Sequence, residues 1–274
     1  MGQTVWVSHS SISDYLKCPR AYHLKNVYRD PETRRKISVM TPSLALGQAV
    51  HQVLEGLAAL KRDDRFLLPL SDLLVEAWIP VTGRAGGFYD SSEEAEYYAR
   101  AQSMLTLVTQ HPGPLAGFAV RLSAPDNLPR YELSNDEELI LCGKIDWLEF
   151  VPEDNSIRIL DFKTGRNEEA DGSLQLPIYS LLVNKLQNRP VSGISYWYLD
   201  RHKTPTEMPL PDLQKAEVDI LQVARDIKWA RETGYRSCGQ DGCFACKDYQ
   251  AVLDGEAELV GRGNYGQDIY VLGR

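Results

Sequence analysis

Residues 159–165 read ILDFKTG, an apolar, strand-like run that ends in an aspartate and a lysine two positions apart and breaks at Thr164 and Gly165. Successive side chains of a strand point to opposite faces, so Asp161 and Lys163 share a face with Ile157 and Ile159, while Leu160 and Phe162 take the other. Charged groups on an apolar face are costly to bury without partners. Their partners are therefore expected close by in space.

The run ELILCGKIDWLEF (138–150) and the run SIRILDFKTG (156–165) flank VPEDNS and read together as a hairpin. A turn centred between Glu153 and Asp154 sets Glu149 opposite Arg158, Trp147 opposite Leu160, Ile145 opposite Phe162 and Leu148 opposite Ile159, all stabilising cross-strand pairs. The same register sets Asp146 opposite Asp161 and Lys144 opposite Lys163. Opposed carboxylates repel unless something cationic lies between them. A hard divalent ion, Mg2+ or Mn2+, suits that position, since it is held by one or two carboxylates and completes its shell with water and substrate phosphate. Lys163 would then stand beside the bound water, a hydrolytic arrangement. Without an ion, the same residues read as a surface hairpin with interdigitated charges.

Around this hairpin the chain has 274 residues, 43% hydrophobic and 25% charged, an ordinary balance for a globular protein with a sizeable core. The N-terminal stretch lacks a basic segment followed by an apolar one, and no charge-free stretch has membrane-spanning length, so a cytoplasmic protein with no membrane partner is expected. A formal charge of −8 argues against coating nucleic acid by bulk electrostatics and leaves room for a local basic groove. There is no Walker A loop, which argues against a helicase or ATPase motor within the chain.

Residues 8–28 read as a helix begun by Ser10 or Ser11 and interrupted near Pro19. Residues 43–61 form a second helix by their apolar spacing, and Gly47 within it suggests a close approach by another group. Residues 71–79 and 92–110 read as further helices, a helical insertion. From residue 118 the period changes to strands: AVRLSA, then the hairpin. LQLPIYSLLVNKLQ is helical despite Pro177, GISYWYLD is a strand, and residues 211–234 form a long amphipathic helix. The fold class expected is α/β, a central mixed sheet flanked by helices, in one domain over 1–274, with a helical insertion over 55–115.

Four separated segments, GQAVHQVLE, GKIDWLEF, ILDFKTG and LQLPIYSLLV, follow one another between residues 47 and 183. In that order they resemble the PD-(D/E)XK nuclease superfamily, and within it the RecB-like branch that includes CRISPR-associated adaptation exonucleases and AddB-type nucleases. The resemblance implies a restriction-endonuclease-like core in which Asp146 and Asp161 ligate Mg2+ or Mn2+, with His51 and the backbone carbonyl of Phe162 as further ligands. It implies that Lys163 orients or activates the attacking water and that Gln175 and Tyr179 position the lysine or the DNA backbone. By metal-ion logic the cation polarises the scissile phosphate and makes hydroxide available near neutral pH. Taken on its own, His51 also reads as a partly buried helix residue, and Gln175 and Tyr179 as ordinary neighbours four apart.

Of the five cysteines, Cys142 lies in an apolar run and reads as core, whereas Cys238, Cys243 and Cys246 cluster near the C-terminus and Cys18 stands alone near the start. In a reducing compartment such a cluster points to metal binding, and four thiolates suit an iron–sulfur cluster or zinc. The resemblance implies a [4Fe-4S] cluster on Cys18, Cys238, Cys243 and Cys246, capping the fold through residues 1–30 and 236–250. The spacing differs from the commoner family pattern, in which a close pair precedes a distant third cysteine. Lys17, Arg20, Lys25, Arg29, Arg34, Arg35 and Lys36, with Arg225, Lys228, Arg231 and Arg236, read either as solvated faces or as a strand-guiding groove, with Tyr15 and Tyr22 available for base stacking. The function expected is a metal-dependent exonuclease acting on single-stranded DNA or DNA ends in recombination, repair or CRISPR spacer acquisition, alone or beside an integrase or helicase. The competing reading is a nuclease-fold subunit that binds DNA or a partner without cutting.

Overall fold

The structure is a computed structural model and describes residues 4–124, 128–240, 242–263 and 265–273. Asp241, within the cysteine segment, and Asn264, in the tail, lie outside the described residues. Strand β1 (Val5–Val7) leads to helices α1 (His9–Lys17) and α2 (Pro19–Tyr22), a π-helical turn and strand β2 (Ile37–Val39). Helices α3 (Pro42–Gly56), α4 (Leu70–Trp78) and α5 (Ser91–Gln110) follow. Then come β3 (Phe118–Val120), β4 (Arg130–Ser134), β5 (Leu139–Cys142), β6 (Trp147–Val151) and β7 (Ser156–Lys163). The chain closes with α6 (Gln175–Leu186), β8 (Val191–Tyr198), β9 (Thr206–Met208), α7 (Leu213–Thr233), α8 (Lys247–Leu253), β10 (Ala257–Arg262) and β11 (Asp268–Leu272).

The central sheet is mixed and five-stranded, in the order β3-β6-β7-β8-β9. β7 sits in its middle, antiparallel to β6 and parallel to β8, with α6 as the crossover between β7 and β8. The two faces of β7 separate as its alternation dictates. Leu160 and Phe162 face the core built by α3, α4 and α5 through Leu46, Val50, Leu74 and Leu105. Ile157 and Ile159 face α6 and α7 through Ile178, Leu182, Ile220 and Ile227. Each fully buried aliphatic side chain contributes roughly 1.5–3 kcal/mol, so both faces hold the strand's position strongly. This is the α/β sheet flanked by helices that the sequence pattern requires.

Local chemistry sets the element ends. Ser8, two residues before the nearer serine expected, caps α1: its hydroxyl accepts from the Ser11 backbone N–H (3.3 Å) while the Ser11 side chain reciprocates. Pro19 then opens α2 at a first-turn position where its missing N–H costs nothing. Thr41 caps α3, and Asp212 caps α7 by accepting from Gln214 and Lys215 N–H. α3 ends at Gly56, short of the expected residue 61.

Two smaller sheets lie outside the central one. β5 pairs with β1 in parallel and with β4 antiparallel; β11 pairs with β2 in parallel and with β10 antiparallel. The expected continuous strand over 138–150 is therefore two strands in two sheets, interrupted at residues 143–146. At the interruption Gly143 lies against α6, where a Cβ would come 3.0 Å from Leu182 Cδ1, so only glycine packs there without displacement. Arg65 fastens the helical region to the start of β3: it is buried, donates to the carbonyls of Leu57, Leu115 and Gly117, and lies over the Trp147 ring.

Candidate metal-dependent active site

The β6–β7 ladder has the register read from the sequence: Trp147 opposite Leu160, Leu148 opposite Ile159 and Glu149 opposite Arg158. The ladder stops at Trp147, so the expected Asp146–Asp161 and Lys144–Lys163 pairs are not formed. The chain leaves β-geometry at Gly143–Asp146, and Asp146 reaches back by its side chain instead, its Oδ2 accepting the Phe162 backbone N–H at 2.8 Å. Lys144 turns outward and pairs with Glu55 of α3.

Asp161 is buried, 2% exposed, at the end of the strand. Its Oδ1 accepts from Gln175 Nε2 at 2.8 Å, and Gln175 Nε2 also lies 3.3 Å from Tyr179 Oη. Lys163 Nζ lies 3.1 Å from Asp161 Oδ2, donates to Gln175 Oε1, and pairs with Glu169 at 2.7 Å, over the Tyr196 ring. The charged pair thus has the partners its burial demands, supplied by the first turn of α6 and by the loop before it. Asp161 Oδ2 is buried and is met by the Lys163 ammonium alone.

On the other side, α3 presents His51, whose Nδ1 lies 3.4 Å from Asp146 Oδ2 and 3.6 Å from Glu55 Oε1. The ring meets Phe162 edge-on with centroids 6.0 Å apart. Gly47, one turn earlier, is where α3 comes close to the end of β7: a Cβ there would stand 3.2 Å from Thr164 Oγ1. The close approach expected at Gly47 is therefore made by the Thr-Gly break of the ILDFKTG run.

Electrostatics follow from this crowding. Burial, reinforced by the Asp146 carboxylate, pushes Asp161 up to about 7 against the pull of Lys163. Burial alone would lower Lys163, but the Asp161 and Glu169 carboxylates outweigh it and hold the ammonium form. Burial also works to lower His51, and Asp146, Glu55 and Asp161 together reverse it, raising the imidazole to about 10. Tyr179 is raised by burial and by the same two aspartates. A region that raises an acid, a histidine and a phenol together has an excess of negative charge. A divalent cation would relieve it.

The donor set fits such an ion. Ligand atoms of His51, Glu55 and Asp146 lie within 4.8 Å of one another, and the Asp161 carboxylate is close enough to bear on both His51 and Asp146 electrostatically. Hard carboxylate oxygens with one imidazole suit Mg2+ or Mn2+. Glu55 and Glu169 were not read from the sequence. Glu55 was within reach, because it follows His51 by one helical turn on the same face; Glu169 sits in an irregular loop whose pattern carries no signal.

The second group of donors is separate. Cys18, Cys238, Cys243 and Cys246 offer sulfurs all within 4.8 Å of one another, and Cys246 Sγ is 3.8 Å from both Cys243 Sγ and Cys238 Sγ. Cys238 belongs to the set despite its unusual spacing. Backbone N–H groups of Gln240, Gly242 and Cys243 lower its thiol to about 6, favouring thiolate, whereas burial and neighbouring thiols push Cys246 up to about 12. Four sulfurs with such donors fit a thiolate-ligated metal group. Cys142 is buried beside the Val7 carbonyl, as a core residue.

The DNA-contact residues read from the sequence are not gathered at the carboxylates. Tyr22 is 3% exposed and packs edge-on against Tyr15 at 5.8 Å, so no base can stack on it. Arg20 donates to Gln250 and lines a cavity beside Cys238. Much of the basic run is engaged within the fold: Lys25 with Asp14, Arg29 with the carbonyls of its own turn, Arg35 with Asp268, Arg225 with Glu137 and Lys228 with the Glu137 carbonyl. In an acidic chain these cations neutralise the protein's own carboxylates first.

The fold, the sheet-end carboxylates and the neighbouring lysine define a nuclease-type site. The family model of the PD-(D/E)XK nuclease superfamily matches residues 6–247, and the chain belongs to that superfamily. No curated protein matches its sequence. No helix among the described residues is long and apolar enough to cross a membrane.

Proposed function

We propose that the protein is a RecB-like, metal-dependent deoxyribonuclease that removes nucleotides from single-stranded DNA or DNA ends. The observation that carries this reading is the buried Asp161 ion-paired with Lys163, beside a group of possible metal ligands formed by His51, Glu55 and Asp146. Two carboxylates and an ammonium are expensive to keep together in a sheet end. Ion and phosphate binding gives that expense a purpose.

In this reading Asp146, Asp161 and His51, with Glu55 and the Phe162 carbonyl, hold Mg2+ or Mn2+. The bound ion supplies Lewis acidity toward the phosphate and a lowered pKa for water. Lys163 holds its charge beside the site and donates to the water or to the phosphate oxygen. Gln175 fixes Lys163 and Asp161 relative to each other, and Tyr179 braces Gln175. Water attacks phosphorus, the bond to the 3′ oxygen breaks, that oxygen takes up a proton and leaves as a 3′-hydroxyl, and the other fragment carries the 5′-phosphate. The whole chain acts as one domain, with residues 55–115 as a helical insertion, in recombination, repair or spacer acquisition beside an integrase or helicase.

For the thiolate site two groups are in question, a [4Fe-4S] cluster, as RecB-like relatives imply, and zinc. Four sulfurs about 2.3 Å from one tetrahedral ion stand about 3.8 Å apart, which matches the separations around Cys246. A four-iron cluster would need the sulfurs to spread. Visible absorption and metal analysis of anaerobically purified protein separate the two.

The function is tested by degradation of end-labelled single-stranded DNA with Mn2+ or Mg2+ against chelator, comparing the protein with Asp161→Ala. Metal-dependent cutting that vanishes in the variant is expected. A well-folded, metal-loaded protein that binds DNA and never cuts would instead be the non-cutting subunit.

A further inference from the structure

Outside the carboxylate corner a cleft of about 810 Å3 runs from His51 and Glu55 along the exposed side of α3 to the β10–β11 hairpin. Its lining includes Arg262 and Tyr265 of the hairpin together with Arg121 and Lys144. Lys144 answers Glu55, whereas Arg262 is 66% exposed and only 4.0 Å from its nearest carboxylate, Asp268. The cleft mouth is therefore more basic than the corner it leads to.

Tyr265 is 92% exposed, the most exposed large hydrophobic side chain among the described residues. Hydrogen bonds nevertheless hold it and its described neighbours. Its N–H donates to Gln267 Oε1 at 3.1 Å, the Gly263 N–H donates to the Gln267 carbonyl at 2.9 Å, and Gly266 N–H closes onto the Gly263 carbonyl at 2.9 Å. A Cβ at Gly263 would displace the Gln267 side-chain amide that accepts from the Tyr265 N–H. The hairpin is anchored in turn through β2, through Arg84 to Glu258 and through Thr33 to Asp268. An aromatic ring on an anchored turn, beside a cation-lined cleft, is the combination that holds unpaired nucleic acid: cations follow the phosphates and the ring stacks on a base without reading its identity.

We propose that the C-terminal hairpin is a single-strand clamp, with Tyr265 stacking on an unpaired base and Arg262 and Arg121 holding the phosphates of a strand that leads to the His51–Asp146 corner. This inference rests on the nuclease reading and narrows its substrate to single-stranded DNA. It also replaces Tyr15 and Tyr22 as the stacking residues.

The test measures binding of a labelled oligothymidylate and of a blunt duplex to the full chain, with Ca2+ in place of Mg2+ or Mn2+ and at fixed salt. Tyr265→Ala should weaken single-strand binding about tenfold and leave duplex binding within about twofold, while Tyr265→Trp keeps wild-type affinity. Arg262→Ala should weaken binding and lower its salt dependence by about one unit. Since Tyr265 touches little, an unchanged melting temperature is expected in its variants. Single-strand binding unaffected by Tyr265→Ala, or lost equally for duplex and single strand, overturns the clamp. The two readings fail separately: a wild type that never cuts but shows the Tyr265 effect sinks the nuclease and keeps the clamp, and a metal-dependent nuclease indifferent to Tyr265 does the reverse.

Discussion

The carboxylate corner and the thiolate group solve opposite problems. At the corner, two packed cores fix the middle strand of the sheet, and that stability is used to hold Asp161, Lys163 and their neighbours in an arrangement that burial opposes. At the thiolates the surrounding core is small: Cys18, Ala21, Leu24, Cys243 and Cys246 are its buried members. There the sulfurs themselves, brought from opposite ends of the chain, are the means of closure. One site draws on the fold's stability and the other supplies it, so they should respond differently to losing a ligand.

The largest effects test that division. Asp161→Asn should lower the cutting rate by about three orders of magnitude, equivalent to several kcal/mol of lost charge stabilisation, with a melting temperature no lower than wild type, because a buried, partly unpaired carboxylate is removed. Cys246→Ser should do the reverse to stability, lowering the melting temperature by about 10 °C or more and losing the bound metal. Calorimetry and metal analysis of the two variants check both; an Asp161 variant that melts early, beside a Cys246 variant that does not, would break the comparison.

Next in size is Gln175→Leu. Gln175 bonds to Asp161, Lys163 and Tyr179 at once, so its loss should reduce kcat about 10–100-fold, as for other groups that orient metal ligands, with a small change in KM. Steady-state kinetics separate the two quantities. If KM alone moves, Gln175 serves the DNA backbone and not the lysine.

The smallest effect is a pH dependence. His51 is raised from 6.5 to about 10, so in metal-free protein its contribution is fully present below pH 6.5 and is lost as pH rises through 10. The stability advantage of wild type over His51→Gln in chelator should therefore shrink between pH 7 and pH 10, by about 3 °C in melting temperature. Asp161 runs in the same sense one window lower: raised from 3.8 to about 7, it stabilises the metal-free fold at low pH and loses that contribution on passing from about pH 4 to pH 7. Saturating Mg2+ or Mn2+ should flatten both trends. A pH profile for wild type and His51→Gln that remains parallel would place His51 outside the charged corner.

Much of this was legible from sequence because it depends on periods and neighbours. The hairpin register followed from turn position and opposed charges, and the structure has the Glu149–Arg158 and Trp147–Leu160 pairs that result. The three long helices and the segregation of Leu160 and Phe162 from Ile157 and Ile159 followed from spacing. Extending the ladder to Asp146 failed because β5 is captured by β1, some 130 residues away, a pairing that local pattern does not encode. Tyr22 read as a stacking surface because exposure cannot be taken from composition, and it lies in the core under α1.

By itself the sequence determined the order of the main helices and of the central strands, the face each side chain of β7 occupies and the chemical types available at its end, since alternation and helical period are properties of consecutive residues. Tertiary structure alone decided that Asp146 approaches from outside the ladder and that Glu55 and Glu169 join His51 and Lys163. Those meetings depend on which distant surfaces bury one another, and burial is a property of the packed chain and not of any stretch of it.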